Sequence, residues 1–229
     1  MERSRAAGGR HLRIGTARGS IHVWLPRGYV ARTAGIVVYV HGYYTGVDQA
    51  FVDHRLAEQF RASRRNALFL AAEAPAWNGA AVTWPDLSEL LDEVGTRSGF
   101  ALPRGPLVVA GHSGAIRTVL PWLLHPRVEE IVLLDGLYRG EGELAAWLTG
   151  GPHVRRRLLL VGQETAERTE AWLPSMKGAI FRHRVPARLP AADRRALLVY
   201  YRSQHDHMAI IAGGRVLPLL LGSTRIRAL

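Results

Sequence analysis

The sequence predicts an α/β fold in which a mostly parallel central sheet is flanked by helices. Short, almost wholly apolar runs bounded by turn residues recur along the chain, as expected for strands buried on both faces. Segments with helical spacing separate these runs, and strands that alternate with helices form parallel sheets with right-handed crossovers. A length of 229 residues suits one such domain with a sizeable core. We therefore predict a single domain over residues 1–229, with residues 1–10 flexible.

The amino-terminal half of the chain contains four predicted strands and two predicted helices. Two short strands joined by a glycine-containing turn come first, and a continuous apolar run then predicts a buried parallel strand. A helical segment, a further strand and a loop follow, and an amphipathic helix carries leucine and valine on one side. The strands are Leu12–Ile14, Ile21–Leu25, Ile36–Val40 and Ala67–Leu70, and the helices are Asp48–Ala62 and Leu87–Val94.

The same alternation continues through the carboxyl-terminal half. The predicted strands are Leu107–Ala110, Ile131–Leu134, Leu158–Val161 and Ala196–Tyr201, and the predicted helices are Ile116–Leu124, Leu144–Leu148, Thr165–Leu173 and a final helix from His207 through Leu221. The stretch between Tyr138 and Arg156 has room for one short helix. We therefore expect no cap domain and an open site.

The most informative segment is the junction after the strand at Leu107–Ala110. The strand ends in Gly111-His112-Ser113-Gly114-Ala115, and a helix-like segment starts at once. A serine on so sharp a turn needs small residues two positions before and after it, because the backbone segments nearly touch. Gly111 and Ala115 meet that need. The segment resembles the nucleophile elbow of the α/β-hydrolase superfamily, with Ala115 in place of the last glycine.

The resemblance to the α/β-hydrolase superfamily extends from Ile36 to Leu221. Its elements are His41-Gly42-Tyr43, the Gly-His-Ser-Gly turn and Leu-Asp-Gly-Leu-Tyr at residues 134–138. In these features the chain is similar to bacterial members of the superfamily that lack a cap domain and resemble serine esterases or lipases. The resemblance implies the α/β-hydrolase fold and hydrolysis through an acyl-serine intermediate, without a cofactor.

The candidate catalytic residues follow the strands, in the chain order Ser…Asp/Glu…His that is typical of the superfamily. Serine needs a neighbouring imidazole to take its proton, and a carboxylate must orient that imidazole. We predict His207 as the base over His205, because His207 opens the terminal helix. Asp135, between Leu134 and Gly136, is the predicted acid. Glu164 is the alternative, but it begins an acidic helix turn.

The oxyanion of an acyl-transfer reaction needs preorganised backbone donors. Gly114, directly after the candidate nucleophile, supplies one N–H group, and the resemblance places the second at Tyr43, with Tyr44 as the alternative. His41 and His112 are predicted to be structural. Aromatic side chains in the strand-end loops are candidates to contact an acyl or aromatic substrate, namely Tyr44, Trp77 and Tyr138.

Composition excludes several other classes of protein. There is no cysteine, which rules out disulfides, thiol catalysis and Cys-ligated zinc, and the sequence shows no phosphate-binding glycine loop or metal-ligand cluster. No stretch approaches the roughly 20 apolar residues of a membrane span. With Met1 as the natural start, the absence of a signal peptide predicts a cytoplasmic protein, whereas a removed leader would make it secreted. No feature specifies an oligomeric state.

The net charge of +11 raises an alternative function. Of the 30 basic side chains only Lys177 is a lysine, and the arginines are spread along the chain. That pattern indicates a compositional bias, and we expect no specific nucleic-acid binding. The predicted partner is a small-molecule ester or acyl substrate, with an amide as the second choice. Two alternatives stay open: a catalytically impaired binding protein of the same fold, and an arginine-rich polyanion-binding protein.

Overall fold

The computed structural model describes residues 1–150 and 156–229. Its ten strands in these residues are β1 (Glu2–Ala6), β2 (Gly9–Thr16), β3 (Gly19–Leu25), β4 (Gly35–Val40), β5 (Ala67–Ala72), β6 (Leu107–His112), β7 (Val128–Leu134), β8 (Arg157–Gly162), β9 (Ile180–Arg182) and β10 (Leu198–Arg202). They form one sheet in the order β1-β2-β3-β5-β4-β6-β7-β8-β10-β9. The first three strands pair antiparallel, and β3 is antiparallel to β5. From β5 to β9 every pairing is parallel.

Nine α-helices connect the strands in the described part of the chain. They are α1 (Val47–Asp53), α2 (Leu56–Ser63), α3 (Leu87–Ser98), α4 (Ile116–Trp122), α5 (Glu141–Thr149), α6 (Ala166–Trp172), α7 (Ala191–Arg195), α8 (His207–Ala212) and α9 (Val216–Leu221). None of these helices is long and apolar enough to span a membrane.

The apolar strands are buried on both faces, as their unbroken hydrophobic runs predict. Successive side chains of a strand point to opposite faces, so Ile36, Val38 and Val40 of β4 join one core while Val37 and Tyr39 join the other. Helices α3, α4 and α5 contribute to the first core. Helices α1, α2, α8 and α9 contribute to the second. The two layers of helices leave the carboxyl ends of the parallel strands as the place for a site.

The amino terminus differs from the sequence-based expectation. Residues 1–10, expected to be flexible, include the edge strand β1, which pairs with β2 from Glu2↔Arg13 to Ala6↔Gly9. The turn between them has positive φ at Ala7 (47°) and Gly8 (78°). Positive φ at both central residues is the geometry that suits a two-residue hairpin. The strand itself, Glu-Arg-Ser-Arg-Ala, has no apolar alternation by which it could be predicted.

Two predicted helices are each divided. The predicted helix Asp48–Ala62 is two helices, because Arg55 between α1 and α2 has a left-handed backbone (φ 50°). The predicted terminal helix is also two, and Gly214 between α8 and α9 has φ 72°. The short edge strand β9 and helix α7 were not predicted from the sequence.

Between β7 and β8 the described residues contain the nine-residue helix α5 and no cap domain. Three consecutive arginines at positions 155–157 would be expected from sequence to be solvated; Arg155 lies outside the described residues, and the other two are not solvated. Arg157 is buried and pairs with the buried Glu130 at 3.2 Å. The guanidinium of Arg156 lies over the Trp147 ring. Both side chains therefore belong to the packing of the sheet and α5.

Candidate active site

Ser113 lies at the turn between β6 and α4, in a left-handed backbone conformation (φ 56°). The turn is tight: a Cβ atom added to Gly111 would come within 2.9 Å of the Ala115 Cβ. Gly42, in the loop after β4, approaches from the other side, where an added Cβ would lie 2.8 Å from the Ser113 Cβ. Small residues on both sides thus allow this serine to sit, half-buried, at the end of a buried strand.

Asp135 directly follows β7, and it is fully buried with a left-handed backbone (φ 48°). Its Oδ1 atom accepts hydrogen bonds from the backbone N–H of Gln163 (2.8 Å) and of Thr165 (3.0 Å) and from the Thr165 hydroxyl (2.9 Å). Its Oδ2 atom accepts one from the backbone N–H of Glu164 (3.1 Å). The loop after β8 therefore wraps its backbone donors around this carboxylate.

His207, the first residue of α8, supplies the remaining partner of that carboxylate. Its Nδ1 atom lies 2.8 Å from Asp135 Oδ2. Since an ionised carboxylate only accepts hydrogen bonds, Nδ1 carries the proton and Nε2 is left as the basic nitrogen. The structure thus brings together the predicted acid and the predicted base.

The two groups shift each other's titration in opposite directions. Burial alone would raise the pKa of Asp135, but the hydrogen bonds from His207 and from the backbone of residues 163–165 outweigh it and hold the pKa well below the usual range. The hydrogen bond to Asp135 raises the pKa of His207, partly opposed by burial, and the charges of Asp135, Glu164 and Asp206 add to the increase.

Glu164, the alternative acid, is exposed but close to the same imidazole. Its Oε2 atom lies 3.7 Å from His207 Nδ1 and accepts a hydrogen bond from the Tyr138 hydroxyl at 2.7 Å. Burial and this contact with Glu164 raise the pKa of Tyr138, and a hydrogen bond with Ser113 offsets part of the increase. No hydrogen bond between Ser113 and His207 is found in the described residues; the hydroxyl that neighbours Ser113 belongs to Tyr138.

His112 packs behind the candidate base. Its Nε2 atom donates to the backbone oxygen of His207 (3.1 Å), and the two rings lie 4.6 Å apart between centroids. Burial, with the charge of His207 next in weight, lowers the pKa of His112 to about 3, so the ring stays neutral at physiological pH. The ring of His205, the alternative base, makes no hydrogen bond within the part of the chain that the structure describes.

The loop after β4 carries the two candidates for the second oxyanion donor, Tyr43 and Tyr44. Of the two tyrosines, Tyr44 already donates its backbone N–H to Ala76 O at 2.6 Å. The Tyr43 N–H has no acceptor within residues 1–150 and 156–229. The ring of Tyr43 lies on Gly114, where an added Cβ would come within 2.5 Å of it. This geometry supports Tyr43 rather than Tyr44 as the partner of Gly114.

His41 ties the start of this loop to the sheet. Its Nδ1 atom lies 2.7 Å from Gly42 O, and its Nε2 atom lies 2.9 Å from Glu73 Oε1.

These residues surround a cleft of about 760 Å³, a size that suits a small organic ligand. Ser113, Gly114, His207, Tyr43, Tyr44 and Tyr138 all line it. Trp77, predicted to contact substrate, is not among the lining residues. Its ring lies along its own loop against Gly79, where an added Cβ would overlap it, and its side chain is largely exposed.

One group of described residues has the proximity that a metal site needs, namely Asp135, Glu164 and His207. The ligand atoms of His207 and Asp135 already share a hydrogen bond at 2.8 Å. A cation would have to displace that proton, so the arrangement favours proton transfer over metal binding.

Three residues that hold the site together were not predicted from the sequence. Thr165 gives two hydrogen bonds to Asp135. Asn78 accepts a hydrogen bond from the Tyr43 hydroxyl at 3.2 Å. Arg117 donates to backbone oxygens of the loop that carries Asn78. No motif marks these residues, because their partners come from distant parts of the chain or are backbone atoms.

No protein-family model matches the chain, and no curated protein sequence matches it either. Several solved structures match the chain. An S-formylglutathione hydrolase from Agrobacterium tumefaciens is 12% identical, with 99% of each chain covered and a TM-score of 0.63. A mutant feruloyl esterase module from Clostridium thermocellum, complexed with sinapinate, is 13% identical, with 93% of this chain and 88% of that chain covered and a TM-score of 0.62.

A thermophilic carboxylesterase cloned from a metagenomic library is 16% identical, with 97% of this chain and 90% of that chain covered and a TM-score of 0.59. At such low identity these similarities establish the architecture alone. The chain has the α/β-hydrolase fold.

Proposed function

We propose that this protein is a serine hydrolase that cleaves a small-molecule ester through an acyl intermediate on Ser113. The observation that carries the proposal is the 2.8 Å contact between Asp135 Oδ2 and Nδ1 of His207, a residue that lines the same cleft as Ser113. A buried carboxylate that fixes the imidazole tautomer is what an activated serine requires. The similar structures are named as esterases and as an S-formylglutathione hydrolase, which supports an ester-type substrate.

The proposed reaction has two halves. In the first, Ser113 Oγ attacks the ester carbonyl carbon while His207 Nε2 takes the hydroxyl proton. The backbone N–H groups of Tyr43 and Gly114 stabilise the oxyanion of the tetrahedral intermediate. The intermediate collapses to the acyl-serine as His207 gives its proton to the departing alkoxide, which leaves as an alcohol.

Water completes the second half. His207 takes a proton from the attacking water, the acyl–Oγ bond breaks, and the proton returns to Ser113 Oγ. Asp135 stays ionised throughout and stabilises the imidazolium at each transfer. Before the first step, Ser113 Oγ must come within hydrogen-bond reach of His207 Nε2, and catalytic hydrogen bonds are often long before substrate binds.

The proposal predicts the effect of Ser113→Ala. This variant should lose labelling by a fluorophosphonate probe and should lower the turnover of p-nitrophenyl acetate by several orders of magnitude, because no nucleophile remains. Ser175→Ala is the matched control, since Ser175 is exposed and, among the described residues, its hydroxyl bonds only Trp172 O. Thermal unfolding of both variants should match that of the wild type. Turnover by Ser113→Ala near the wild-type rate would refute the mechanism.

One observation favours a second candidate, a binding protein with the same fold and no turnover. The described residues show no hydrogen bond between Ser113 and His207, and the Tyr138 hydroxyl beside the site bonds Glu164 Oε2 at 2.7 Å. If the wild type binds p-nitrophenyl esters but neither hydrolyses them nor reacts with the fluorophosphonate, this candidate replaces the hydrolase.

A further inference from the structure

The loop at residues 76–80 is held by polar contacts rather than by packing. Ala76 through Gly79 are all exposed. The turn closes on itself through one backbone hydrogen bond, from Ala80 N to Trp77 O at 3.1 Å. With so little apolar area buried, the position of this loop depends on whatever binds its backbone.

Arg117 of α4 provides that binding. Its Nη1 atom donates to Trp77 O (3.4 Å) and to Asn78 O, and its Nη2 atom donates to Ala80 O (2.8 Å). No carboxylate pairs with this guanidinium in the described residues. A planar group with five donors can reach several carbonyl oxygens of one turn at once, which a lysine ammonium cannot do in the same geometry.

The loop in turn holds Tyr43. Asn78 Oδ1 accepts the hydrogen bond from the Tyr43 hydroxyl, and Ala76 O accepts the one from Tyr44 N. The Tyr43 ring is fixed on its other side by Gly114, which has no Cβ to displace it. Contacts therefore run from the helix after Ser113, through the 76–80 loop, to the loop that carries the Tyr43 amide.

We infer that Arg117 and Asn78 are positioning residues that hold the Tyr43 amide in register with the Gly114 amide. This inference rests on the proposed function. Both side chains also line the cleft, but the inferred role is to act through Tyr43 and not on the reacting atoms. A transition-state donor is effective only at hydrogen-bond distance from the developing oxyanion, so a loop that drifts should reduce kcat far more than substrate affinity.

The variants for the test break or keep single contacts. Tyr43→Phe removes the donor to Asn78 but keeps the ring on Gly114, and Asn78→Ala removes the acceptor. Asn78→Asp keeps an acceptor oxygen. Arg117→Met removes every donor to the loop at similar side-chain length, and Arg117→Lys keeps the charge. Arg61→Met, in an exposed position on α2, is the control.

Each variant is measured in three ways: kcat and KM on p-nitrophenyl acetate, the rate of covalent reaction with a fluorophosphonate, and hydrogen exchange of a peptide covering residues 41–46. Loss of one oxyanion donor costs about 10²–10³ in kcat, so a displaced donor should cost about 10–100-fold. We expect Tyr43→Phe, Asn78→Ala and Arg117→Met to show that loss with KM within about threefold of the wild type. Phosphonylation should slow in parallel, and residues 41–46 should exchange faster.

Two comparisons separate positioning from general damage. Asn78→Asp should recover most of the kcat that Asn78→Ala loses, and Arg117→Lys should lie between Arg117→Met and the wild type. The double variant Tyr43→Phe/Asn78→Ala should be no slower than the slower single variant, because both changes break one hydrogen bond. Equal losses in Asn78→Asp and Asn78→Ala, or a double variant that shows the product of the two losses, would overturn the inference.

Failure of the proposed function gives a different result. If the wild type neither hydrolyses the ester nor reacts with the fluorophosphonate, the proposed function is wrong, and hydrogen exchange alone decides the inference. Faster exchange of residues 41–46 in Arg117→Met and Asn78→Ala, but not in Arg61→Met, would support the coupling of the two loops. Unchanged exchange would overturn it.

Discussion

Two of the three candidate catalytic residues have a backbone conformation that residues other than glycine rarely adopt. Ser113 and Asp135 have φ values of 56° and 48°. Such conformations cost about 1–3 kcal/mol each and persist only where the surrounding structure enforces them. The backbone at Gly42 and Gly111 packs so closely on the serine turn that neither position has room for a Cβ atom. Hydrogen-bond donors from the loop after β8 surround the Asp135 carboxylate. These conformations direct Ser113 into the cleft and Asp135 towards His207, which also lines the cleft.

Asp135 and Glu164 should differ sharply in kinetic importance. Asp135→Asn should lower kcat by about 10⁴-fold, because an amide no longer fixes the correct tautomer of His207. Glu164→Gln should change kcat little, because Glu164 is exposed and lies 3.7 Å from Nδ1, against 2.8 Å for Asp135. Ester turnover and thermal unfolding of both variants test this. The reverse ranking, with both variants folded, would make Glu164 the acid and Asp135 structural.

The pH dependence of turnover should follow from the raised pKa of His207. The base must be neutral to accept a proton, so kcat/KM should fall as the pH drops through that pKa. The hydrogen bond from Asp135 and the nearby carboxylates raise the pKa above the ordinary value of 6.5, so the midpoint of the acid limb should lie above pH 6.5.

The charge of Glu164 provides a test of whether His207 is the titrating base, through the direction in which the midpoint shifts. Removing it in Glu164→Gln lowers the pKa of His207, so the midpoint of the acid limb should move to lower pH. Glu167→Gln, which neutralises an exposed carboxylate in the next turn, is the control and should leave the midpoint in place. A midpoint that moves upward in Glu164→Gln would exclude His207 as the titrating base.

The candidate catalytic residues at the strand ends could be predicted from the sequence, but the residues whose contacts support them could not. Ser113, Asp135 and His207 each follow a recognisable strand, and parallel strands bring their carboxyl ends together. Thr165, Asn78 and Arg117 form contacts that depend on loop paths and on backbone atoms. No spacing rule describes such contacts, because backbone carbonyls are present at every residue.

At the scale of elements, periodicity predicted the buried strands well and failed at turns. The strands predicted at Ile36–Val40 and Ile131–Leu134 lie within β4 and β7. A short, continuous apolar run is typical of a strand that is buried on both faces. The break between α1 and α2 was missed. It depends on Arg55 adopting φ 50° and on the buried His54, whose Nδ1 atom bonds the Tyr39 hydroxyl at 2.9 Å. Neither feature alters the apolar spacing.

The contact between the β4 loop and the serine turn should tolerate no added atom. In Gly42→Ala the new Cβ would lie 2.8 Å from the Ser113 Cβ and 3.1 Å from His112 O. Because the serine turn is buried, the β4 loop must move away, and kcat should fall by about 10-fold or more as the Tyr43 donor is displaced. Kinetics on p-nitrophenyl acetate measure the loss.

Gly142→Ala is the matched control for that change. Gly142 lies in α5 with open space around its Cβ position, so alanine should leave kcat unchanged and should stabilise the fold by about 0.5–1 kcal/mol. Chemical denaturation of both variants checks the stability. Wild-type kcat in a folded Gly42→Ala variant would show that the two loops can separate without effect.

At the scale of the whole molecule, the positive charge is divided between structural and solvated arginines. Arg157 is buried, where it bonds Glu130 and backbone oxygens that include Ser223 O (2.8 Å). Other arginines are exposed, among them four that line a shallow groove near the amino-terminal hairpin: Arg5, Arg10, Arg27 and Arg61. That groove shares no lining residue with the candidate active site.

The exposed arginines should bind polyanions weakly and without a preferred place. A net charge of +11 predicts retention on heparin at low salt and elution at moderate ionic strength, because exposed charges are screened within about 10 Å at 0.1 M salt. Two double variants test whether the charge is dispersed: Arg27→Ser/Arg61→Ser in the groove, and Arg184→Ser/Arg188→Ser at exposed positions outside it. Both should reduce the salt concentration needed for elution by the same amount. Heparin chromatography and titration of DNA duplexes of different sequence measure this. A larger loss for the groove pair, or sequence-selective binding that resists salt, would instead support polyanion binding as a function of the protein.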